Sequence, residues 1–445
     1  METKVALISA NRHKEPYPVY PLGTAYLKSY VEQHIADCVV DVVDMNLLSL
    51  SELQQYLTEQ SPDFICISIR NVDGANSLDK RGFLPDYKLI VNTVRQSTSR
   101  PIIVGGAGFS IFPEVFIREL GADYGIAGEG EAALSELILT LSAGQQIAKT
   151  PHLIPRDGVS YIKSPQAVYE PQLVEYYWKE SGMLNIQTKR GCPYNCIYCT
   201  YPQIDGRCVR TMDVGSIVET IAKMKRDYGV NYWFFTDSIF NINDRYNAEL
   251  AEALVKSGVN ISWGAYFAPK DISDEQMALY KASGLTHIEY GTESFCDATL
   301  EAYGKRFTFD DVLSCSEMAL KHNVFYSHFL ILGGWGESRQ QLETTIRNSK
   351  KLRHTVIFPY IGMRIYPNTR LHRYAIEDGV VDVKDDLMEP RYYITRDFDL
   401  ELTKQQAKGT SKAWIFPDAP QDEMVNILKF KRNKKGPLWE YLRKP

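Results

Sequence analysis

The sequence predicts an α/β protein in which a domain with a parallel sheet is followed by a partial barrel of β/α units. Short apolar runs alternate with amphipathic segments over the first 140 residues and again between residues 184 and 364. Strands that alternate with helices form parallel sheets, because parallel neighbours need a long crossover connection. The length of 445 residues also exceeds that of one ordinary domain. We therefore expect a first domain at residues 1–142, a linker at 143–182, a barrel at 183–380 and a C-terminal extension at 381–445.

The first domain is expected to be a flavodoxin-like (Rossmann-like) sheet of five strands. Its strand candidates are residues 5–10, 39–45, 64–69, 101–105 and 124–127. Helix-like segments at residues 23–33, 86–96 and 113–120 lie between them. A ligand binds such a sheet at the carboxyl ends of its strands. The loops that the sequence places there are residues 11–21, 44–46, 70–82, 106–111 and 128–131.

The second domain is expected to be a partial (β/α)6 version of the eight-unit TIM-type barrel. Its strand candidates are residues 184–189, 231–236, 261–267, 287–291, 324–332 and 356–364. Helix candidates are residues 216–228, 245–256, 274–282 and 338–351. The functional loops of such barrels follow the carboxyl ends of the strands. Residues 143–182, between the two series, have no clear period and contain four prolines, which is typical of a connector.

The composition excludes several classes of protein. Hydrophobic residues make up 44% and charged residues 24% of the chain, as in globular proteins. The net charge of −5 gives no indication of a nucleic-acid partner, and the short basic run at residues 429–435 is typical of a solvated surface. No apolar run reaches the roughly 20 residues of a membrane helix, and the N-terminus lacks a secretory signal. We therefore expect a cytoplasmic protein that does not act at a membrane.

Three of the eight cysteines form a cluster directly after the first barrel strand. Cys192, Cys196 and Cys199 have the spacing C-x3-C-x2-C on a loop that also contains glycine and proline. Three thiolates can hold a 4Fe–4S cluster and leave one iron open, since such a cluster normally takes four. The open iron can be chelated by S-adenosylmethionine (SAM), whose one-electron reduction releases a 5′-deoxyadenosyl radical.

Two other interpretations of these thiols compete with the cluster. In a structural zinc site Cys208 would be the fourth ligand, although zinc sites favour paired C-x2–4-C motifs. Unligated thiols would require accidental clustering at the mouth of a barrel. The spacing favours the iron–sulfur cluster over both.

With these residues the second domain resembles the radical SAM superfamily, whose mark is this cysteine spacing with an aromatic residue before the last cysteine. Tyr198 occupies the aromatic position. The resemblance implies further SAM contacts at the ends of later strands, where Asp237 and Ser238 stand in place of the common Gly-Gly-Glu, Glu293 is the residue expected at the ribose, and Gly333 begins a glycine-rich loop on the adenosine side. Taken singly, each acidic residue could instead cap a helix and each glycine could form a turn.

The first domain resembles the cobalamin-binding domain of cobalamin-dependent radical SAM enzymes. The glycines at residues 105–108 follow the fourth strand, whereas a dinucleotide-binding loop follows the first, so NAD is not the expected ligand. The resemblance implies that three loop segments surround the corrin, with another loop on the same sheet edge. The residues expected there are Tyr20, Leu22, Gly23, Ser68, Asn71, Gly105, Gly106, Phe109, Ser110, Gly128, Glu129 and Gly130. Because the chain contains no D-x-H-x-x-G motif and His13 is expected at the surface, we expect cobalamin to bind base-off, with no protein histidine on cobalt.

The resemblance implies a methyltransferase that acts on an unactivated carbon or a phosphinate phosphorus of a small molecule. Residues 68–73 and 106–114 are similar to the branch of phosphinothricin-type P-methyltransferases. A non-methylating cyclase or ring-rearranging enzyme of cofactor or tetrapyrrole biosynthesis shares the same motifs. A weaker alternative is a metal- or cobalamin-sensing regulatory module. The reaction needs an external one-electron reductant, a flavodoxin or ferredoxin, and anaerobic conditions.

The substrate pocket is expected to draw on the last strands and the C-terminal segment. Arg364 or Arg391 could hold a carboxylate or phosphate with two parallel hydrogen bonds, although a salt bridge is an equally good interpretation of each. The sequence identifies no general acid or base. The other candidates near these arginines are Tyr360, Tyr366, Asn368, Tyr392 and Tyr393.

Overall fold

A computed structural model describes residues 2–145, 152–154, 165–418 and 435–442. These residues form a six-stranded parallel sheet, a seven-stranded parallel sheet and two short antiparallel ribbons. The expected fold class is confirmed. None of the helices in the described ranges has both the length and the apolarity needed to cross a bilayer.

The first sheet has the strand order β2-β1-β3-β4-β5-β6. Its strands are β1 (Thr3–Ser9), β2 (Cys38–Asp44), β3 (Phe64–Ser68), β4 (Ile102–Gly105), β5 (Tyr124–Ile126) and β6 (His152–Ile154). The five expected strands are all present, and β6 extends the sheet from within the segment expected to be a linker. Residues 107–111, which were expected to belong to a loop, form a short helix.

Helices cover both faces of this sheet, because alternate residues of each strand point to opposite sides. Ala6, Ile8 and Ile67 belong to a core on one face, whereas Val5 and Leu7 belong to a core on the other. The helices are α1 (Leu22–His34), α2 (Leu50–Gln60), α3 (Leu84–Ser97), α4 (Ala107–Ile111), α5 (Pro113–Leu120) and α6 (Glu131–Ser142).

The second sheet has the strand order β17-β14-β13-β12-β11-β10-β7. It contains β7 (Leu184–Ile186), β10 (Tyr232–Phe235), β11 (Ser262–Phe267), β12 (Leu285–Glu293), β13 (Phe325–Leu332), β14 (Val356–Ile361) and β17 (Ala413–Trp414). The six expected strands are confirmed, and β17 from the C-terminal extension is a seventh. The ends of the first and last expected strands do not belong to the seven-stranded sheet and form two short antiparallel ribbons. In one ribbon β8 (Lys189–Arg190) pairs with β9 (Arg210–Thr211), and in the other β15 (Met363–Arg364) pairs with β16 (Tyr392–Tyr393).

Ten further helices accompany the second sheet in the described part of the chain. They are α7 (Pro171–Ser181), α8 (Tyr201–Ile204), α9 (Val214–Tyr228), α10 (Asp244–Ser257), α11 (Asp274–Ala282), α12 (Asp297–Ala302), α13 (Phe309–Lys321), α14 (Arg339–Ser349), α15 (Arg370–Glu377) and α16 (Leu400–Lys408). Short 3₁₀ helices cover Phe240–Ile242 and Leu438–Leu442. Helix α7 lies within the expected linker, where its Tyr177 packs with Tyr20 of the first domain in one core. Most of the basic run at residues 429–435 lies outside the described residues.

Candidate cofactor and active site

A cavity of about 550 Å³ lies at the carboxyl ends of the first sheet, and we call it the sheet-edge cavity. It is lined by loops that follow β1, β3, β4 and β5, as expected for a parallel sheet. Ten of the twelve residues expected to surround the corrin line it: Tyr20, Leu22, Gly23, Ser68, Asn71, Gly105, Gly106, Gly128, Glu129 and Gly130. The structure therefore brings together segments that are more than 100 residues apart in the chain.

Gly106 allows this wall to be built from backbone. Its φ is +103°, and a Cβ atom there would lie 2.6 Å from the carbonyl oxygen of Ile69. Phe109 is also among the residues expected at the corrin, and its ring is fully buried in the core against Phe116 and does not line the cavity. Ser110 also lies behind the wall, where its hydroxyl donates to the Gly106 carbonyl and accepts from the Gly128 amide. These two residues thus support the wall and do not form its surface.

Two carboxylates between β5 and the first turn of α6, those of Glu129 and Glu131, connect the wall of this cavity to the barrel domain. Glu129 forms ion pairs with both Arg190 and Arg210, and Glu131 accepts a hydrogen bond from Arg190 at 2.7 Å. Burial alone would lower the pKa of Arg190, but Glu131 and Glu129 raise it above its ordinary value. Glu129 was expected to contact a cofactor; its side chain is instead engaged by the two arginines that precede and follow the cysteine loop.

No histidine lines the sheet-edge cavity within the described ranges. The expectation that His13 is exposed at the surface is wrong, since it is half-buried and its ring lies 5.5 Å from that of Phe83. Burial lowers the pKa of His13. It lines a smaller cavity of about 270 Å³ on the other side of the β1 loop.

A second cavity of about 470 Å³, the barrel cavity, lies at the carboxyl ends of the barrel strands. Cys192, Cys196 and Cys199 all line it, whereas Cys208 is exposed and does not. Burial raises the pKa of the Cys192 thiol, and burial with the neighbouring Cys196 raises that of Cys199 to about 12. Burial therefore disfavours the thiolate forms of Cys192 and Cys199, and the positive charge of a bound metal centre would favour them.

The arrangement of the thiols fits an iron–sulfur cluster better than zinc. Within the described part of the chain, no three Cys, His, Asp or Glu side chains converge closely enough to hold a single ion. A four-iron cluster instead spreads three thiolates around one of its faces. The backbone of Cys208 packs directly against Gly191 at the start of the cysteine loop. The φ of Gly191 is +90°, and a Cβ atom at this position would overlap the Cys208 carbonyl oxygen.

Glu293 lies at the rim of the barrel cavity in a left-handed backbone conformation, with φ +69°. Its Oε1 accepts hydrogen bonds from the Tyr198 hydroxyl at 2.6 Å and from Lys305 Nζ at 3.1 Å. Burial alone would lower the pKa of Lys305, but Glu293 and Cys196 raise it. Tyr198, Ser238 and Glu293 line the cavity as expected, and Lys305 is a cavity residue that sequence analysis missed.

Two residues expected to contact SAM do not line either main cavity. Asp237 is fully buried and accepts hydrogen bonds from the backbone amides of Thr188 and Lys189 and from Lys189 Nζ, the last at 2.7 Å. Gly333 lies beneath the Phe398 ring and donates its amide to Glu337, whose pKa is raised to about 8 by burial. Asp237 therefore fixes the strand that leads into the cysteine loop.

The two candidate arginine clamps are engaged in ion pairs. Arg364 is buried and pairs with Asp73 at 2.8 Å, and Arg391 pairs with Asp385 at 3.0 Å. Tyr360, Arg364 and Tyr366 line the barrel cavity, whereas Asn368, Arg391, Tyr392 and Tyr393 do not.

The two cavities meet at a common wall. Ala75, Tyr201 and Tyr366 line both of them. The buried ion pair between Arg364 and Asp73 lies beside this wall, because Asp73 lines one cavity and Arg364 the other. A ligand bound at the sheet edge would therefore face a ligand bound in the barrel.

Comparison with known proteins agrees with this architecture. A family model of the radical SAM superfamily matches residues 186–348, and a model of the B12 binding domain matches residues 8–138. The tryptophan 2-C-methyltransferase of Streptomyces laurentii is 23% identical and covers 85% of this chain and 76% of its own length. The anaerobic magnesium-protoporphyrin IX monomethyl ester cyclase of Cereibacter sphaeroides is 22% identical and covers 74% of this chain and 55% of its own. The structure of the radical SAM methyltransferase TsrM from Kitasatospora setae, with tryptophan and a SAM analogue, has a TM-score of 0.84 at 20% identity and covers 99% of this chain and 98% of its own.

Fold and cysteine site together define a radical SAM enzyme. The chain combines a radical SAM domain with a B12 binding domain, which is the domain pair of cobalamin-dependent radical SAM enzymes. The cofactors of this class are a 4Fe–4S cluster, SAM and cobalamin.

Proposed function

We propose that this protein is a cobalamin-dependent radical SAM methyltransferase that acts on a small molecule. The main observation behind this proposal is that the two cavities share a wall, since Ala75, Tyr201 and Tyr366 line both of them. A methyl carrier at the sheet edge would meet the substrate across this wall. The methyltransferase names of relatives along most of the chain support the same assignment.

The barrel cavity has the donors that the cluster and SAM need. Cys192, Cys196 and Cys199 would hold the cluster, which with SAM supplies one-electron chemistry when bound. Glu293, held by Tyr198 and Lys305, presents a fixed carboxylate at the rim for hydroxyl or ammonium groups. Ser238 donates to the Gly191 carbonyl and so supports the loop from the cavity side.

The sheet-edge cavity would hold cobalamin with its own base detached. Its glycine-rich wall allows close backbone approach to a bulky ring. The described wall offers no imidazole, and His13 lies in a different cavity. These observations favour a cobalt ion without a histidine ligand from this chain.

The surface of the barrel cavity favours a flat, largely apolar substrate that is methylated at carbon. Tyr266, Phe329 and Tyr360 are among the residues that line it. A phosphinate would need free cations, but three of the four cationic residues that line the cavity are in ion pairs: Lys270, Lys305 and Arg364. The fourth, Arg306, lies against the ring of Tyr194 in the cysteine loop. Tryptophan, named with the TsrM structure, is a molecule of the favoured kind.

The reduction step needs an external electron donor, and we propose a flavodoxin or ferredoxin in an anaerobic cytoplasm. Low-potential carriers of this kind are found in that compartment, and an open iron site is sensitive to oxygen. The regulatory-module alternative has no support from the paired cavities.

The test is anaerobic reconstitution with iron and sulfide, followed by incubation with SAM, cobalamin and reductant. We expect both 5′-deoxyadenosine and S-adenosylhomocysteine, the second only when cobalamin is present. Alanine variants of Cys192, Cys196 and Cys199 should lose cluster iron and both products, and Cys208→Ala should keep them. Deoxyadenosine without S-adenosylhomocysteine in the presence of an accepted substrate would support the cyclase alternative. A protein that binds zinc and forms neither product would refute the proposal.

A further inference from the structure

Three arginines surround the outermost part of the cysteine loop. Arg207 donates to the Tyr194 carbonyl and Arg370 to the Asn195 carbonyl, each at 3.3 Å, and the guanidinium of Arg306 lies 5.9 Å from the centre of the Tyr194 ring. We call Arg207, Arg306 and Arg370 the arginine triad. The loop tip between them is accessible, because Asn195 is exposed.

The charge of the triad is not balanced locally. None of the three side chains lies within 4 Å of a carboxylate in the described ranges. The carboxylate that acts on the Tyr194 ring, Asp244, is already paired with Lys270. Three positive charges are thus concentrated at one site on a chain whose net charge is −5.

We propose that the arginine triad is the docking surface for an acidic one-electron carrier protein of the flavodoxin or ferredoxin kind. One electron would leave the reduced carrier and enter the cluster, oxidising the carrier by one electron. The inference rests on the cluster site of the proposed function, since the triad contacts Tyr194 and Asn195, which lie between two of its cysteines. A carrier seated here would lie over the loop that holds the cluster, where the transfer distance is shortest.

The geometry favours an acidic protein over a nucleic acid. The triad is a compact patch around two residues, whereas duplex or tRNA binding needs a long stripe of cations that follows the phosphates. Opposite charges around a small contact area chiefly raise the association rate, which suits a transient partner.

The experiment measures reduction of the reconstituted cluster in the full-length protein by stopped-flow absorbance. One reductant is a purified bacterial flavodoxin in its fully reduced form. The other is photoreduced 5-deazariboflavin, a small uncharged donor that has no protein surface. The variants are the double substitution Arg207→Glu/Arg370→Glu and the same two residues changed to Lys; Arg306 is left in place because it also lines the barrel cavity. Arg226→Glu is the matched control, because Arg226 is an exposed arginine at the end of α9, on the opposite end of the barrel.

We expect the Glu variant to lower the second-order rate with flavodoxin about tenfold or more at low ionic strength. The rate with deazariboflavin, per cluster iron, should stay within twofold of the parent. The Lys variant should recover most of the flavodoxin rate, and salt should slow the parent far more than the Glu variant. Arg226→Glu should behave as the parent.

Other results would separate failure of this inference from failure of the cluster site. A flavodoxin rate within twofold of the parent in the Glu variant, with a normal deazariboflavin rate, would refute the docking surface alone. Triad-dependent binding of bulk tRNA, with no effect on flavodoxin, would refute it in favour of RNA. A parent protein without reducible cluster iron would refute the proposed function itself.

Discussion

Replacing Asp237 distinguishes a structural role for this residue from a role in binding SAM. In the folded protein Asp237 and Lys189 form an ion pair at 2.7 Å, and their side chains are 0% and 1% exposed. In Asp237→Asn the new side chain could still accept the two backbone amides, but it would leave the Lys189 ammonium without a counter-ion. Removing one partner of a buried pair costs about 3–5 kcal/mol. We therefore expect this substitution to lower the free energy of unfolding by about that amount, measured by urea denaturation of the protein.

The second substitution in this experiment is Lys189→Met in the Asp237→Asn background. It removes the stranded charge and should recover most of the lost stability, because an apolar replacement of a buried pair is often close to neutral. The Phe240 ring, 4.4 Å from Lys189 Nζ, offers an apolar surface for the methionine.

The pH dependence gives an independent check on the same pair. Burial lowers the pKa of Lys189 even with Asp237 present. The unfolded chain therefore binds this proton more tightly than the folded chain, so the stability contribution of Lys189 rises with pH toward its ordinary pKa of 10.5. Without the carboxylate the pKa of Lys189 falls further, so the stability of Asp237→Asn should rise over a wider pH range below 10.5 than that of the parent.

One result would refute this reasoning. If the free energy of unfolding of Asp237→Asn is within about 1 kcal/mol of that of the parent and its affinity for SAM is lost, then Asp237 acts on the ligand and not on the loop. Ser238→Ala is the neighbouring control for stability, since the Ser238 hydroxyl donates to the Gly191 carbonyl at 3.2 Å and takes no part in the Asp237–Lys189 ion pair.

Three further predictions concern the walls and the core of the two cavities. Gly106→Ala should lower cobalamin affinity at least fivefold in a spectroscopic titration, since its Cβ would lie 2.6 Å from the Ile69 carbonyl oxygen; unchanged affinity would contradict this. Burial raises the pKa of Glu289 from 4.5 to about 7, so stability should fall by about 3 kcal/mol as pH rises through that interval, and Glu289→Gln should abolish the fall in urea titrations. Equal pH slopes in the two proteins would refute that assignment. Arg364→Gln leaves Asp73 buried without its partner and should cost about 3–5 kcal/mol, visible as a lower Tm in calorimetry; an unchanged Tm would show that the pair contributes nothing.

The sequence was sufficient for the elements that have a clear period or a fixed spacing. The long strands and the cysteine loop were predicted because alternation and C-x3-C-x2-C are local patterns. Strand β17 has two residues, which is too short for a period to be visible, and β6 lies within residues 143–182, which have no clear period around it. The fold class therefore followed from the sequence, and the full extent of each sheet did not.

Partners that are distant in the chain account for most of what the sequence did not show at the site. Asp73 and Arg364 are 291 residues apart, and nothing in either segment indicates the other. Lys305 carries no motif, and its place in the cavity is marked only by its hydrogen bond to Glu293, which no local pattern indicates. Phe109 looked like a loop residue, but the absence of a side chain at Gly125 leaves room for its ring in the core. Motif analysis found the segments that form the walls and could not decide which side chains face inward.

The carboxylates of Glu129 and Glu131 have a consequence for how a large cofactor can enter. Separating the two domains along this edge would strip Arg190 and Arg210 of buried counter-ions, at a cost of several kcal/mol for each. Cobalamin therefore has to be admitted by movement of other parts of the rim, while this seam stays closed. Because the same arginines flank the cysteine loop, a seam that stays closed also holds both ends of that loop in place.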